Sequence, residues 1–161
     1  MNFIGLDFGE KRIGVAAADS LGLTARPLTV IERASLDEDI ARIGQIVQQR
    51  RAEKIVLGLP LNMDGTVGPQ ARRVRRFAAR LKHALGLEIV LWDERLTTVE
   101  ADEAMGRPPF AKASGGKGVE ESRSRGPSRE ERERRRRRRD AVAAAVILQD
   151  YLEAQRRSVE A

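Results

Sequence analysis

The sequence predicts an α/β protein, a five-stranded mixed sheet with helices on both faces, and three observations predict it. Three strand-like stretches come first in quick succession, and two short, continuously apolar stretches then alternate with amphipathic ones. The C-terminal stretch carries apolar residues at helical spacing. The predicted order is strand, strand, strand, helix, strand, helix, strand, helix. At 161 residues the chain suits one domain over 1–161 with a single core.

The first strand is Phe3-Ile4-Gly5-Leu6-Asp7-Phe8, closed by Gly9. Asp7 interrupts a run that otherwise reads as buried, and a carboxylate taken out of water costs several kcal/mol unless something compensates it. A cation is one compensation; backbone donors of the following turn are the other. Arg12 to Ala18 forms the second strand, and the short connection implies an antiparallel hairpin. Ala25 to Ile31 is the third, with Pro27 near its start, where a missing donor is tolerated.

Ser35 followed by Glu38 is a capping box, and Leu36, Ile40, Ile43 and Val47 recur at i, i+4, i+7 and i+11, predicting a helix to about Arg51. Ile55 to Leu59 is the kind of strand buried on both faces of a parallel sheet. The loop Leu61 to Thr66 follows its carboxyl end, where open α/β sheets place ligands. Val74, Phe77, Ala78, Leu81 and Leu85 mark a second helix, stopped by Gly86. Leu87 to Trp92 is the fifth strand and discharges into Asp93-Glu94-Arg95. These acids are site candidates, though Asp93 or Thr97 can equally cap a helix over Val99 to Met105.

From Gly106 to about Glu133 Gly, Pro, Ser, Lys and Arg dominate without apolar periodicity, which predicts a flexible insert. The last helix carries Ala141, Ala144, Ala145, Leu148 and Leu152 on one face. Asp140 stands one turn before Ala144, either on that face or as a cap at the helix start.

Composition narrows the chemistry. There is no cysteine and His83 is the only histidine, so a zinc site of Cys and His ligands is excluded and a metal would be held by oxygen, favouring Mg²⁺ or Mn²⁺. A Ser-His-Asp centre would rest wholly on His83, inside a charged helix. The net charge of +6 equals the run Arg134 to Arg139, so the basicity is local, suited to phosphates or simply solvated. No stretch is long and apolar enough to span a bilayer and no signal-peptide pattern opens the chain, so a cytoplasmic protein is expected.

The pieces IGLDFGEKRIGVA, VLGLPLNMDGT, LWDERLTT and DAVAAAVILQDYL together resemble the YqgF/RuvX family, whose fold is RNase H-like. The resemblance covers nearly all of the chain except residues 106 to 139. It implies a nuclease of ribosome biogenesis acting on the 5′ end of pre-16S rRNA, members having also been described as Holliday junction resolvases. It implies catalytic and metal-binding acids at Asp7, at the Asp93-Glu94 pair and at Asp140, with Asn62 and Asp64 on the substrate side. Two metal ions about 4 Å apart would then activate water and neutralise the leaving oxygen, with Asp7 bridging both, Glu94 on one and Asp140 on the other. Glu94 is preferred to Asp93, since strand alternation places only one of the two on Asp7's side of the sheet, but the sequence does not fix which. Arg12 and Arg95 either contact phosphate or pair with neighbours.

The expected partners are pre-16S rRNA, possible pre-ribosomal particles, or branched DNA, for a monomer or homodimer off the membrane. The rivals are a resolvase of branched DNA and a non-catalytic assembly factor gripping phosphate through the Arg run. A sugar-kinase-like ATPase ranks last, because it needs two such domains.

Overall fold

The computed structural model describes residues 2–96 and 126–160. The expected helix over Val99 to Met105, and residues 106–125 of the expected insert, lie outside the described residues. The elements are β1 (Phe3–Phe8), β2 (Arg12–Ala18), β3 (Ala25–Glu32), α1 (Leu36–Arg50), β4 (Lys54–Leu59), α2 (Pro69–Leu85) and β5 (Glu88–Asp93). A 3-10 turn (Glu94–Leu96) and the helix α3 (Arg129–Glu160) follow.

The five strands make one mixed sheet in the order β3-β2-β1-β4-β5. β2 runs antiparallel to both β1 and β3, whereas β4 is parallel to β1 and β5 to β4. The hairpin is closed by the Gly9 amide donating to the Arg12 carbonyl at 2.9 Å. Crossover helices return the chain for the parallel strands, which cannot be joined by a tight turn.

Period-two alternation along β1 divides the interior into two layers. Ile4, Leu6 and Phe8 join Ile40 and Ile43 of α1 and Val74, Phe77 and Leu81 of α2 in one core, with the Phe8 and Phe77 rings stacked 4.2 Å apart. The alternate residues face α3, whose Ala144, Ala145, Leu148, Tyr151 and Leu152 pack with Ala16, Val56 and Phe3. α1 is capped by the Ser35 hydroxyl, which accepts from the Glu38 amide. α2 begins with Pro69 and ends on left-handed Gly86. No helix among the described residues is long and apolar enough to cross a membrane.

Glycines govern how α3 lies on the sheet. A Cβ built on Gly14 would stand 1.9 Å from the Asp140 carbonyl oxygen, and one on Gly5 would stand 2.8 Å from that of Ala144 and 2.7 Å from the Leu148 Cβ. The helix backbone therefore rests directly on the strands, a close approach that only glycine allows. α3 runs opposite to β1, with Asp140 near its carboxyl end, Ala144 and Leu148 over Gly5, and Tyr151 against Phe3.

The start of α3 corrects the sequence reading. The insert does not run to Glu133, and Asp140 is not at the helix start, because the helix begins at Arg129 and carries the whole Arg run. The cause is a capping box: the Glu131 amide donates to the Ser128 hydroxyl at 3.2 Å and the Ser128 amide to the Glu131 carboxylate at 2.8 Å. Two acids in the first turn favour the macrodipole, and ion pairs from Arg12 to Glu133 and from Arg137 to Glu32 tie this end to the strands.

Gly14→Ala should lower unfolding free energy in urea by about 1–3 kcal/mol or more, since the added methyl meets backbone that cannot step aside. Gly44→Ala in α1 is the control. Its methyl meets only the tip of Leu85, at 3.1 Å, and the gain in helix propensity should hold the net change to about 1 kcal/mol or less.

Candidate active site

Asp7 pairs across the hairpin with Gly14, so the two share the α3 face of the sheet. The Asp140 carbonyl rests on Gly14, which sets the Asp140 side chain beside Asp7. Glu94 arrives from the other side. Leu6 pairs with Leu57, so the next residue of β4, Gly58, flanks Asp7. A Cβ on Gly58 would lie 2.5 Å from the Glu94 Oε1 and 2.6 Å from the Ile147 Cδ1. Glu94 thus folds its carboxylate over a bare patch of β4. The three acids converge at the carboxyl ends of the parallel strands, where α/β sheets hold ligands.

Their charges press on one another. Asp7 is pushed up from 3.8 to about 6, first by burial and then by Asp140. Glu94 is pushed up from 4.5 to about 7, first by burial and then by Asp7 and Asp93. Asp7 is therefore the acid that links the other two, pressed by Asp140 and pressing on Glu94. Among the described residues its carboxylate accepts no hydrogen bond, so the turn does not supply its compensation. Asp140 has partial relief: Arg12 Nη1 stands 3.7 Å from its Oδ2, while Nη2 of the same guanidinium holds Glu133 at 2.6 Å.

Asp93 is not brought into this cluster. It shares the opposite face of β5 with Ile89, and its carboxylate receives Nε, Nη2 and the amide of Arg95 at 2.8–3.1 Å. Those bonds hold it below the usual carboxylate range. Arg95 thus pairs with a neighbour, and its Nη1 also donates to the Met63 carbonyl at 3.3 Å. Asn62 and Asp64 build the turn itself. The Asn62 amide group donates to the Thr66 hydroxyl, and Asp64 accepts from the Thr66 hydroxyl and amide, bonds that hold Asp64 low. Arg95 tethers this loop to the end of β5.

Among the described residues no three Asp, Glu, His or Cys groups stand close enough to hold a metal ion as arranged. The donor chemistry nevertheless fits a hard divalent cation: the cluster offers only carboxylate oxygens, and the burial and then repulsion that raise Asp7 and Glu94 are both offset by a bound cation. Residues that sequence reasoning missed are Gly14, Gly58 and Glu133. A glycine inside a strand pattern was the available signal for the first two, because it marks a close approach of backbone or ligand.

The model of the RuvX family, described as Holliday junction resolvase, matches residues 1–122, a span that includes Asp7 and Glu94 but not Asp140. A protein of Syntrophus aciditrophicus (strain SB) named "Putative pre-16S rRNA nuclease" is 46% identical over 96% of this chain and 89% of its own. One of the same name from Thermoanaerobacter pseudethanolicus is 41% identical over 97% of this chain and 99% of its own. Among solved structures, T. thermophilus RuvC in complex with Holliday junction substrate superimposes with a TM-score of 0.55 at 13% identity, covering 96% of both chains. Fowlpox virus resolvase with Holliday junction DNA gives 0.51 at 8% identity over 96% of this chain and 99% of that one. These likenesses establish the RNase H-like fold.

Asp7 binds its proton more tightly in the fold than in the unfolded chain, so its ionisation costs stability. That cost is absent below the ordinary value of 3.8, grows as pH rises toward about 6, and is complete above it. In EDTA at pH 8, Asp7→Asn should therefore be more stable than wild type by on the order of 2–3 kcal/mol. The advantage should vanish toward pH 4, as read by urea unfolding at each pH.

Proposed function

The chain belongs to the RuvX family, and from that premise we propose that it is a metal-dependent nuclease that processes the 5′ end of pre-16S rRNA during ribosome biogenesis. The observation that carries this reading is the meeting of Asp7, Glu94 and Asp140 over the glycine floor, with Asp7 pressed by Asp140 and Glu94 by Asp7. Such mutual repulsion has no structural benefit and suits a site made for cations and phosphates.

Asp7, Glu94 and Asp140 would hold the divalent ions, Mg²⁺ or Mn²⁺, most simply two of them. When bound, these supply an activated water and neutralise charge at the leaving oxygen. The chain's own residues prepare the place. Asp7 is fixed on a central strand and Asp140 on a helix seated against that strand's partner, so neither depends on a loop for position. Arg12 holds Asp140 from one side. Arg95 engages Asp93 and the Met63 carbonyl, which leaves Glu94 to turn inward. Burial around Asp7 and Glu94 strengthens every charge interaction made there. A cytoplasmic location, pre-ribosomal particles as partners and a monomeric or homodimeric state go with this reading.

The family's description as a resolvase supplies the rival, branched DNA, which the same carboxylates would serve. Purified protein should cleave a labelled 5′-extended 16S precursor RNA with Mg²⁺ or Mn²⁺, leave it intact in EDTA, and spare a labelled four-way junction offered in competition. Asp7→Asn should slow the RNA reaction by about 10³-fold or more, a loss of roughly 4 kcal/mol of transition-state stabilisation. Activity persisting in Asp7→Asn would defeat the assignment, and preferential cutting of the junction would replace the substrate.

A further inference from the structure

The six arginines of the run Arg134 to Arg139 all belong to α3, and helical geometry sorts them into groups with different surroundings. Each residue turns about 100° around the axis. On the side of β2 and β3, Glu133 binds Arg12 and Arg137 binds Glu32, so Arg137 is committed to carboxylates. The side of β4 and β5 is marked by Ile147, which reaches Gly58, and by Asp150, which accepts from the Trp92 indole at 2.9 Å. Measured from Asp140, Arg136 and Arg139 lie about 40° and 100° round toward that second side, the side on which Glu94 sits. Arg135 points away from the sheet, and Arg134 and Arg138 lie beyond Arg137 on the β3 side, in line with Ala145 and Gln149, the latter accepting from the Ala25 amide.

Arg136 and Arg139 are exposed and, among the described residues, have no ion-pair partner. They also overhang the site. α3 has 32 residues and spans about 48 Å, whereas the six residues of β1 span about 20 Å. Since Asp140 already stands near the carboxyl end of β1, the turns before it project past the acidic cluster. A cluster of Asp7, Glu94 and Asp140 repels any polyanion, so an approaching strand needs cations beside the carboxylates, where counterion release offsets that repulsion.

We propose that Arg136 and Arg139 form a phosphate-binding rim that guides the sugar–phosphate backbone of a nucleic acid onto the Asp7–Glu94–Asp140 cluster, while Arg137 is a structural tie. The inference takes its purpose from the nuclease reading, but its test does not depend on cleavage. Full-length protein in EDTA is titrated against a labelled single-stranded RNA and, in a second arm, single-stranded DNA of the same sequence, across a salt series. R136Q/R139Q is compared with R134Q/R138Q, which removes equal charge from the other faces of the same helix, and circular dichroism confirms that both remain helical.

The rim predicts that R136Q/R139Q raises Kd about tenfold on both strands and flattens the plot of log Kd against log salt by about 1.4, two phosphate contacts of single strand. R134Q/R138Q should change Kd by less than about threefold. Equal weakening by both pairs would show a diffuse charge cloud and overturn the proposal, as would an unchanged Kd in R136Q/R139Q or a loss confined to RNA. If the binding result holds but the wild type cleaves no RNA with Mg²⁺ or Mn²⁺, the nuclease reading fails and the rim stands. If the wild type cleaves and R136Q/R139Q binds normally, the rim fails alone.

Discussion

The contact on which the rest depends is that between the Asp140 carbonyl and the bare α-carbon of Gly14. Because Gly14 lies across the hairpin from Asp7, seating the helix there also sets the distance between two acids that are far apart in sequence. Gly5 repeats the device further down the helix, and Gly58 repeats it for Glu94 and Ile147. Three strand glycines thus leave room on the sheet that larger residues would fill, and the site occupies that room. Glycine weakens a strand, so their presence in the three central strands is a local cost borne for position.

The same arrangement concentrates negative charge where water is scarce. Stability and function pull in opposite directions at Asp7, as expected where a site is built for a ligand and not for the fold alone. The fold offsets the charge unevenly. Asp140 has Arg12, and Asp93 has Nε and Nη2 of Arg95, whereas Asp7 and Glu94 stay raised toward neutrality. The two raised acids are the ones burial weighs on first, and Asp93 stands outside the cluster on the far face of β5.

Much of this was legible in the sequence. Strand and helix order followed from periodicity, because period-two and 3.6-residue patterns of apolar residues record which face is buried. Alternation showed only that one of Asp93 and Glu94 shares Asp7's side of the sheet; which one it is became visible from the register, where Asp93 lies on the far face with Ile89. The front of the last helix was hidden, because the twelve polar residues from Arg129 to Asp140 carry no apolar pattern. Its capping box, Ser128 to Glu131, was written inside a low-complexity stretch and so read as linker. The part played by the strand glycines was hidden for another reason: a sequence shows that a glycine is present but not which distant backbone leans on it. Asn62 and Asp64 were placed correctly in a turn by composition, yet which neighbours they would bind depended on Thr66 and Arg95 meeting there in space.

One consequence belongs to α3 as a whole. Its rear half is fixed by Leu148, Tyr151 and Leu152 in an apolar core, and its front half by Arg12–Glu133 and Arg137–Glu32 across partly wet ground. Mobile ions shield the second kind of attachment and leave the first untouched. The rod is therefore clamped at one end and sprung at the other, with Asp140 near the fulcrum, and the stiffness of the spring is set by the ionic strength of the surrounding solution.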